Sequence, residues 1–193
     1  MRRGFYVFAL AAALAVAGWP ERAYADGFFS PWVGSNFANE PGDGRGSFGF
    51  TAGSLGRGLV AVGGEFDFGY SPNFFGASSL FGNNNVLSAM GNVIVGVPFG
   101  GRRGLGIRPY VTGGIGLIRS VVEGPANILD VKNNDPGFNL GFGVMGFLSD
   151  HVGVRGDLRF MRTFSTDDTT PNPLDFNLST FDFWRGSVGI VLR

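Results

Sequence analysis

Along most of this chain, bulky apolar side chains fall on every second position. In residues 60 to 70 the even positions are Val60, Val62, Gly64, Phe66, Phe68 and Tyr70, and the odd ones are Ala61, Gly63, Glu65, Asp67 and Gly69. Successive side chains of a strand point to opposite faces, so this spacing predicts a strand with one bulky face and one small or charged face. Five later segments repeat the split. Leu87, Val93, Val95 and Val97 oppose Ser88, Asn92 and Gly96, and Ile107, Val111, Ile115 and Leu117 oppose Arg108, Thr112, Gly114 and Gly116. Phe138, Leu140, Phe142 and Val144 oppose Asn139, Gly141 and Gly143; Val152, Val154, Leu158 and Phe160 oppose Arg155, Asp157 and Arg159; Trp184, Val188, Ile190 and Leu192 oppose Arg185, Ser187 and Gly189. Two glycine-broken segments, SPWVGSNFA from Ser30 and GSFGFTAGS from Gly46, precede them. Eight strands are predicted. Met90, Ile94, Tyr110, Met145 and Phe147 break the pattern by falling on the polar side. Apolar spacing at three and four is not sustained after residue 26, and 34 glycines argue against long helices.

The connections alternate in length. SLGRG, GGRRGL and SDH are short, whereas SPNFFGASSLFGNNN, SVVEGPANILDVKNNDP and STDDTTPNPLDFNLST are long. Short turns at one end and long polar loops at the other are the layout of an outer-membrane barrel. The predicted fold is therefore all-β: an eight-stranded antiparallel up-and-down transmembrane β-barrel.

Alternation alone does not separate such a barrel from a soluble β-protein. The amino terminus adds to the picture. Arg2 and Arg3 precede a 14-residue uncharged run, Phe5 to Gly18, and Ala23-Tyr24-Ala25 follows. That order predicts a signal peptide over residues 1–25 and a barrel domain over 26–193. The run is short of the roughly 20 residues a spanning helix requires, and a closed barrel is the other way to satisfy every backbone hydrogen bond in hydrocarbon. A charge facing lipid costs about 2–4 kcal/mol at the midplane. Glu65, Asp67 and Asp157 are thus expected to point inward, toward Arg108, Arg155, Arg159 and Arg185, as a ladder of lumenal ion pairs. Eight strands enclose only enough space for side chains, so this ladder is read as filling rather than as an ion path.

Five stretches carry a family resemblance: PWVG from Pro31, GGEFDFGYSP from Gly63, RPYVTGGIGL from Arg108, GVRGDLRF from Gly153 and FDFWRGSVGIVL from Phe181. With them the chain resembles small eight-stranded outer-membrane barrels of the outer-membrane protein A type. The resemblance implies a bacterial outer-membrane location. It also implies partners: outer-membrane lipid, lipopolysaccharide and the barrel-assembly machinery. The chain departs from the family by closing on Leu192-Arg193 in place of an aromatic.

Charge and chemistry narrow the function classes. Basic and acidic residues number 15 each; loss of residues 1–25 removes Arg2, Arg3, Arg22 and Glu21, leaving 12 and 14. No basic excess remains for nucleic acid. Cysteine is absent, which excludes disulfides and Cys-ligated metal. The one histidine, His151, falls in a predicted short turn. No catalytic residue, cofactor or metal site is expected, and the protein is not read as an enzyme. Function on a rigid barrel tends to lie in its loops. Candidates there are Phe74, Phe75, Leu80 and Phe81, with Asp167, Asp168 and Asp175 in the last long loop and Glu123, Asp130 and Asp135 in the one before. The leading expectation is a monomeric barrel with a plugged lumen and a structural or surface-interaction role. A small gated channel is the alternative. A soluble periplasmic barrel binding an apolar ligand is the third, and it requires Phe66, Phe68 and Tyr70 to face inward.

Overall fold

The structure, a computed structural model, describes residues 25–37, 45–56, 58–74, 84–100, 105–123, 130–164 and 182–193. Its long strands are β1 (Ala25–Phe37), β2 (Arg45–Gly56), β3 (Ala61–Pro72), β4 (Asn84–Gly96), β5 (Gly106–Glu123), β6 (Asp130–Phe147), β7 (Val152–Thr163) and β8 (Asp182–Leu192). A two-residue piece, Phe99–Gly100, continues β4 along the start of β5. Sequential strands pair antiparallel, β8 pairs with β1, and β4 pairs with β5, so the sheet closes on itself.

The register fixes the shape of the cylinder. A path crossing the wall from Gly27 runs through Ser54, Gly64, Val93, Gly113, Leu140, Phe160 and Trp184, and returns to β1 at Phe37, ten residues further on. A stagger of ten over eight strands tilts each strand by about 40° from the barrel axis. Roughly ten tilted residues then span about 25 Å, the height of an outer-membrane apolar band.

The two faces divide as the alternation predicts. Val62, Val111, Phe142, Val188 and Ile190 are exposed on the outside, and Val93, near mid-height, is 59% exposed. Phe66, Phe68 and Tyr70 share that outer face, with the ring of Phe50 lying 6.2 Å from Phe66 and 5.5 Å from Phe68. The soluble-barrel alternative is thereby corrected. Because Glu65 and Asp67 are buried inside, their alternate neighbours can only face out.

Inside, the side chains form three layers. At the short-turn end Phe28, Leu55, Ala61, Ile94, Tyr110, Met145, Phe147 and Val191 make one apolar cluster. At the long-connection end Phe74, Val86, Met90, Ile118, Met161 and Phe183 make another. The five residues that broke the sequence pattern, Met90, Ile94, Tyr110, Met145 and Phe147, belong to these two clusters. They are inward-facing strand positions, apolar because they line the ends of a filled tube. Between the clusters lie the charges.

Two further differences from the sequence reading are informative. The strand ladder starts at Ala25 rather than Ser30. The connection expected to be long after the fifth strand is mostly strand, since β5 and β6 pair out to Glu123 opposite Asp130. Ladder pairing uses backbone groups, so polar side chains there do not end it. Residues 1–24 of the expected signal segment 1–25 lie outside the described residues, as do Phe75, Leu80, Phe81, Asp167, Asp168 and Asp175. Phe74 is described. It is 7% exposed and packs edge-on against Phe183 at 5.1 Å, so its ring fills the lumen mouth instead of offering a loop contact.

An arginine scan of the outer wall tests this depth assignment. Val93→Arg is expected to cost about 2–4 kcal/mol of stability in lipid vesicles, and Leu105→Arg, at the short-turn rim, about 0–1. Guanidinium unfolding of the vesicle-embedded protein reads both values.

Candidate functional site: the charged lumen

Alternation turns Glu65, Asp67, Arg155, Asp157, Arg159 and Arg185 to the inside, and all are less than a tenth exposed. Three carboxylates face three guanidiniums. β3 and β7 lie four strands apart around a ring of eight, so a side chain from one reaches the other only across the lumen. Glu65 makes that crossing twice: Arg155 donates from Nη2 to its Oε2 at 3.0 Å, and Arg159 from Nη2 to its Oε1 at 2.7 Å. Thr112 and Asn92 donate to the same Oε1, at 2.9 and 3.4 Å.

Asp157 sits between its two strand neighbours. Arg159 donates from Nε to its Oδ1 at 2.6 Å, and Arg155 from Nη2 to its Oδ2 at 3.0 Å. The Tyr110 hydroxyl donates to the same Oδ2 and accepts from Arg155 Nε at 2.6 Å. Asp67 is held by Arg185, whose Nη2 donates to Oδ1 at 2.5 Å, and by Thr51, which donates to Oδ2 at 3.0 Å. Arg159 Nη1 lies 3.7 Å from Asp67 Oδ2 and so joins the halves of the network. Buried charges persist when they are paired and hydrogen-bonded, and the planar arginine fork allows one cation to hold two acids.

Room for these long side chains comes from glycines on the lumen face. The Arg185 guanidinium lies over the Trp32 ring at 4.2 Å. A Cβ at Gly69 would stand 2.6 Å from Arg185 Nη1, and one at Gly49 would stand 2.7 Å from Trp32 Cζ2. Small residues on β2 and β3 thus leave the space that Trp32 and Arg185 fill.

Arg108 is buried on the inner face, and its guanidinium lies over Phe147 at 5.2 Å, where Arg193 approaches the same ring at 4.2 Å. It stands two residues nearer the strand start than Tyr110, a full alternation step toward the short-turn end. Sequence reasoning passed over Tyr110, Thr112, Thr51, Asn92 and Trp32 as network members. Their inward parity was legible, but which of them meet depends on the register across several strands. His151 is exposed in the turn between β6 and β7, and no group of three or more His, Asp or Glu suited to a metal occurs among the described residues.

A closed wall, apolar outside and ionised within, defines an integral β-barrel membrane protein. The family model described as outer membrane protein beta-barrel domain matches residues 4–183, and the chain belongs to that family. It is a bacterial outer-membrane protein. A search of curated protein sequences gave no match. Among solved structures, the chain is similar to Neisserial surface protein A, with a TM-score of 0.58 at 15% identity, over 87% of this chain and 97% of that one. It is also similar to the N-terminal β-barrel domain of Pseudomonas aeruginosa OprF, with a TM-score of 0.51 at 13% identity, over 87% and 98%. These likenesses are of fold.

Removing one partner leaves the rest of the network short of a charge. Arg159→Met, after which Glu65 and Asp157 keep Arg155 as their one cation, is expected to cost about 3–5 kcal/mol. Gly69→Val, which drives a side chain into Arg185 and Trp32, is expected to cost about 1–3 kcal/mol and to red-shift Trp32 emission. Unfolding titrations and tryptophan fluorescence on the refolded barrel measure these effects.

Proposed function

We propose that this protein acts as a side-chain-plugged outer-membrane barrel, with a structural or surface-interaction role carried at its long-connection end. One observation carries the reading: the six charged groups of the middle layer pair with one another, several of them across the lumen, and an apolar layer lies at each end of them. An ion crossing this tube meets two dewetted layers and a neutral, mutually bonded cluster. The rigid wall then serves as a mount for the segments that join the strands at the long-connection end. The network's geometry offers no nucleophile and base poised beside open space, so the reading is non-catalytic.

Planar-bilayer recording tests the plug. The wild-type protein is expected to show no steady conductance. Glu65→Ala should stay closed as well, because Met90, Met161 and Ile94 still block both ends. Steady channel openings in the wild type would favour the gated-channel reading, and openings that appear only in Glu65→Ala would make that residue its gate.

A further inference from the structure

The wall closes where β8 meets β1, and that ladder is interrupted. Phe29 pairs with Leu192 and Trp32 with Gly189 in one register, but Ser30 and Pro31 between them have no ladder partner on β8. On its other side β1 pairs with β2 without a break from Ala25 to Asn36, and β8 pairs without a break with β7. The other long ladders are continuous as well. The cause is local. The Pro31 carbonyl faces β8, where a Cβ on Gly189 would stand 2.5 Å from it, and the N–H of a strand residue points the same way as its carbonyl. Proline has no N–H, so the Ile190 carbonyl receives no ladder donor from β1.

The break lies deep in the wall. A stagger of ten residues over eight strands raises the wall by about four residues in three strands, so Pro31 stands at about the height of Val93. There the surroundings are hydrocarbon, and water does not replace a missing donor.

Side chains bridge the seam on both sides of the break. Above it, the Arg185 guanidinium of β8 lies over the Trp32 ring of β1 at 4.2 Å, while its Nη2 donates to Asp67 Oδ1 at 2.5 Å. Below it, Arg193, the residue after β8, reaches β1 with Nη1 3.9 Å from Asp26 Oδ2. Its Nε donates to the Asp150 carbonyl at 3.1 Å, and its guanidinium covers the Phe147 ring at 4.2 Å. The settings differ. The Arg185 and Asp67 side chains are 2% and 1% exposed, and those of Arg193 and Asp26 are 10% and 12% exposed.

We propose that the β1–β8 seam is a built-in opening line of this barrel, held shut by Arg185 above the break and Arg193 below it, and that the Arg193 staple is released by salt from the short-turn side. Below Pro31 a single ladder pair, Phe29 with Leu192, joins the two strands, so this half depends on the contact from Arg193 to Asp26. Above the break the pairing runs unbroken from Trp32 to Phe37, and dry contacts of Arg185 reinforce it. At 1 M salt the screening length is about 3 Å, shorter than the 3.9 Å lower contact. The lower half therefore parts first and leaves the lumenal network above it in place. This inference rests on the strand register, and on neither the role of the loops nor the plug.

Amide hydrogen exchange, read residue by residue by NMR on the protein refolded into lipid nanodiscs, tests the device. The Phe29 and Leu192 amides are expected to exchange about tenfold faster than those of Val33 and Val188 above the break. Raising NaCl to 1 M should speed the lower pair about fivefold further and leave the upper pair unchanged. Arg193→Gln should reproduce the effect of salt and abolish the response to it, and Pro31→Ala, which restores a donor, should slow the lower pair. The Leu55–Gly63 end of the β2–β3 ladder, also at the short-turn end, should respond to neither salt nor Arg193→Gln. Heat-modifiable gel migration establishes that each variant is folded. Equal exchange above and below the break in the wild type overturns the proposal, as does an acceleration in Arg193→Gln that the upper pair or the β2–β3 ladder shares. So does a salt response that survives in Arg193→Gln, because the lower half would then be held by something other than this staple.

Discussion

Three carboxylates and three guanidiniums lie paired in the interior of this protein because the wall around them has no edge. In hydrocarbon every backbone N–H and C=O must be paired within the protein, and among β-structures only a closed sheet achieves this. Closure in turn creates an inside. Once β4 has met β5, every second residue is committed to a narrow tube from which water is largely excluded, and any charge placed there must find its partner across that tube. The ion pairs from Glu65 to Arg155 and Arg159 are the consequence. They tie opposite walls together, and the tie is short because an eight-stranded barrel is just wide enough for side chains to fill.

The layering of the lumen follows from the same constraint. Charges near either mouth would be partly hydrated and weakly paired; in the middle they are dry and strongly paired. The apolar clusters built around Ile94 and Met145 at one end, and Met90 and Phe183 at the other, keep them so. Glycines opposite the largest side chains, such as Gly49 beneath Trp32, are the complement of this filling. A larger residue on one strand is accommodated by the smallest residue on its neighbour, and the tube keeps its diameter.

The outer surface obeys a different solvent and a different rule. Alternate residues there meet acyl chains over about 25 Å and headgroups beyond, so polarity varies with height rather than with partner. That is why Arg119 and Arg162 can point outward while Arg155 and Arg159 cannot: the first two stand above the apolar band and the others within it. The same residue type is a lumenal tie in one place and a lipid-facing cation in another, and depth alone separates the roles.

Strand number, the face each strand turns to lipid, and the burial of Glu65, Asp67, Arg155, Asp157, Arg159 and Arg185 were determined by the sequence alone. These depend only on period-two alternation and on the cost of placing a charge in hydrocarbon, both local properties. Which inward residues touch was decided by the tertiary structure, through the stagger of ten residues that a barrel acquires on closing. That stagger puts Tyr110 beside Asp157, Trp32 beneath Arg185 and Phe147 beneath Arg108. It also gives the apparent breaks in alternation, Met90 and Ile94 among them, their place as the lumen's apolar ends. No local pattern carries that information, because height in a tilted barrel is a sum over every strand crossed.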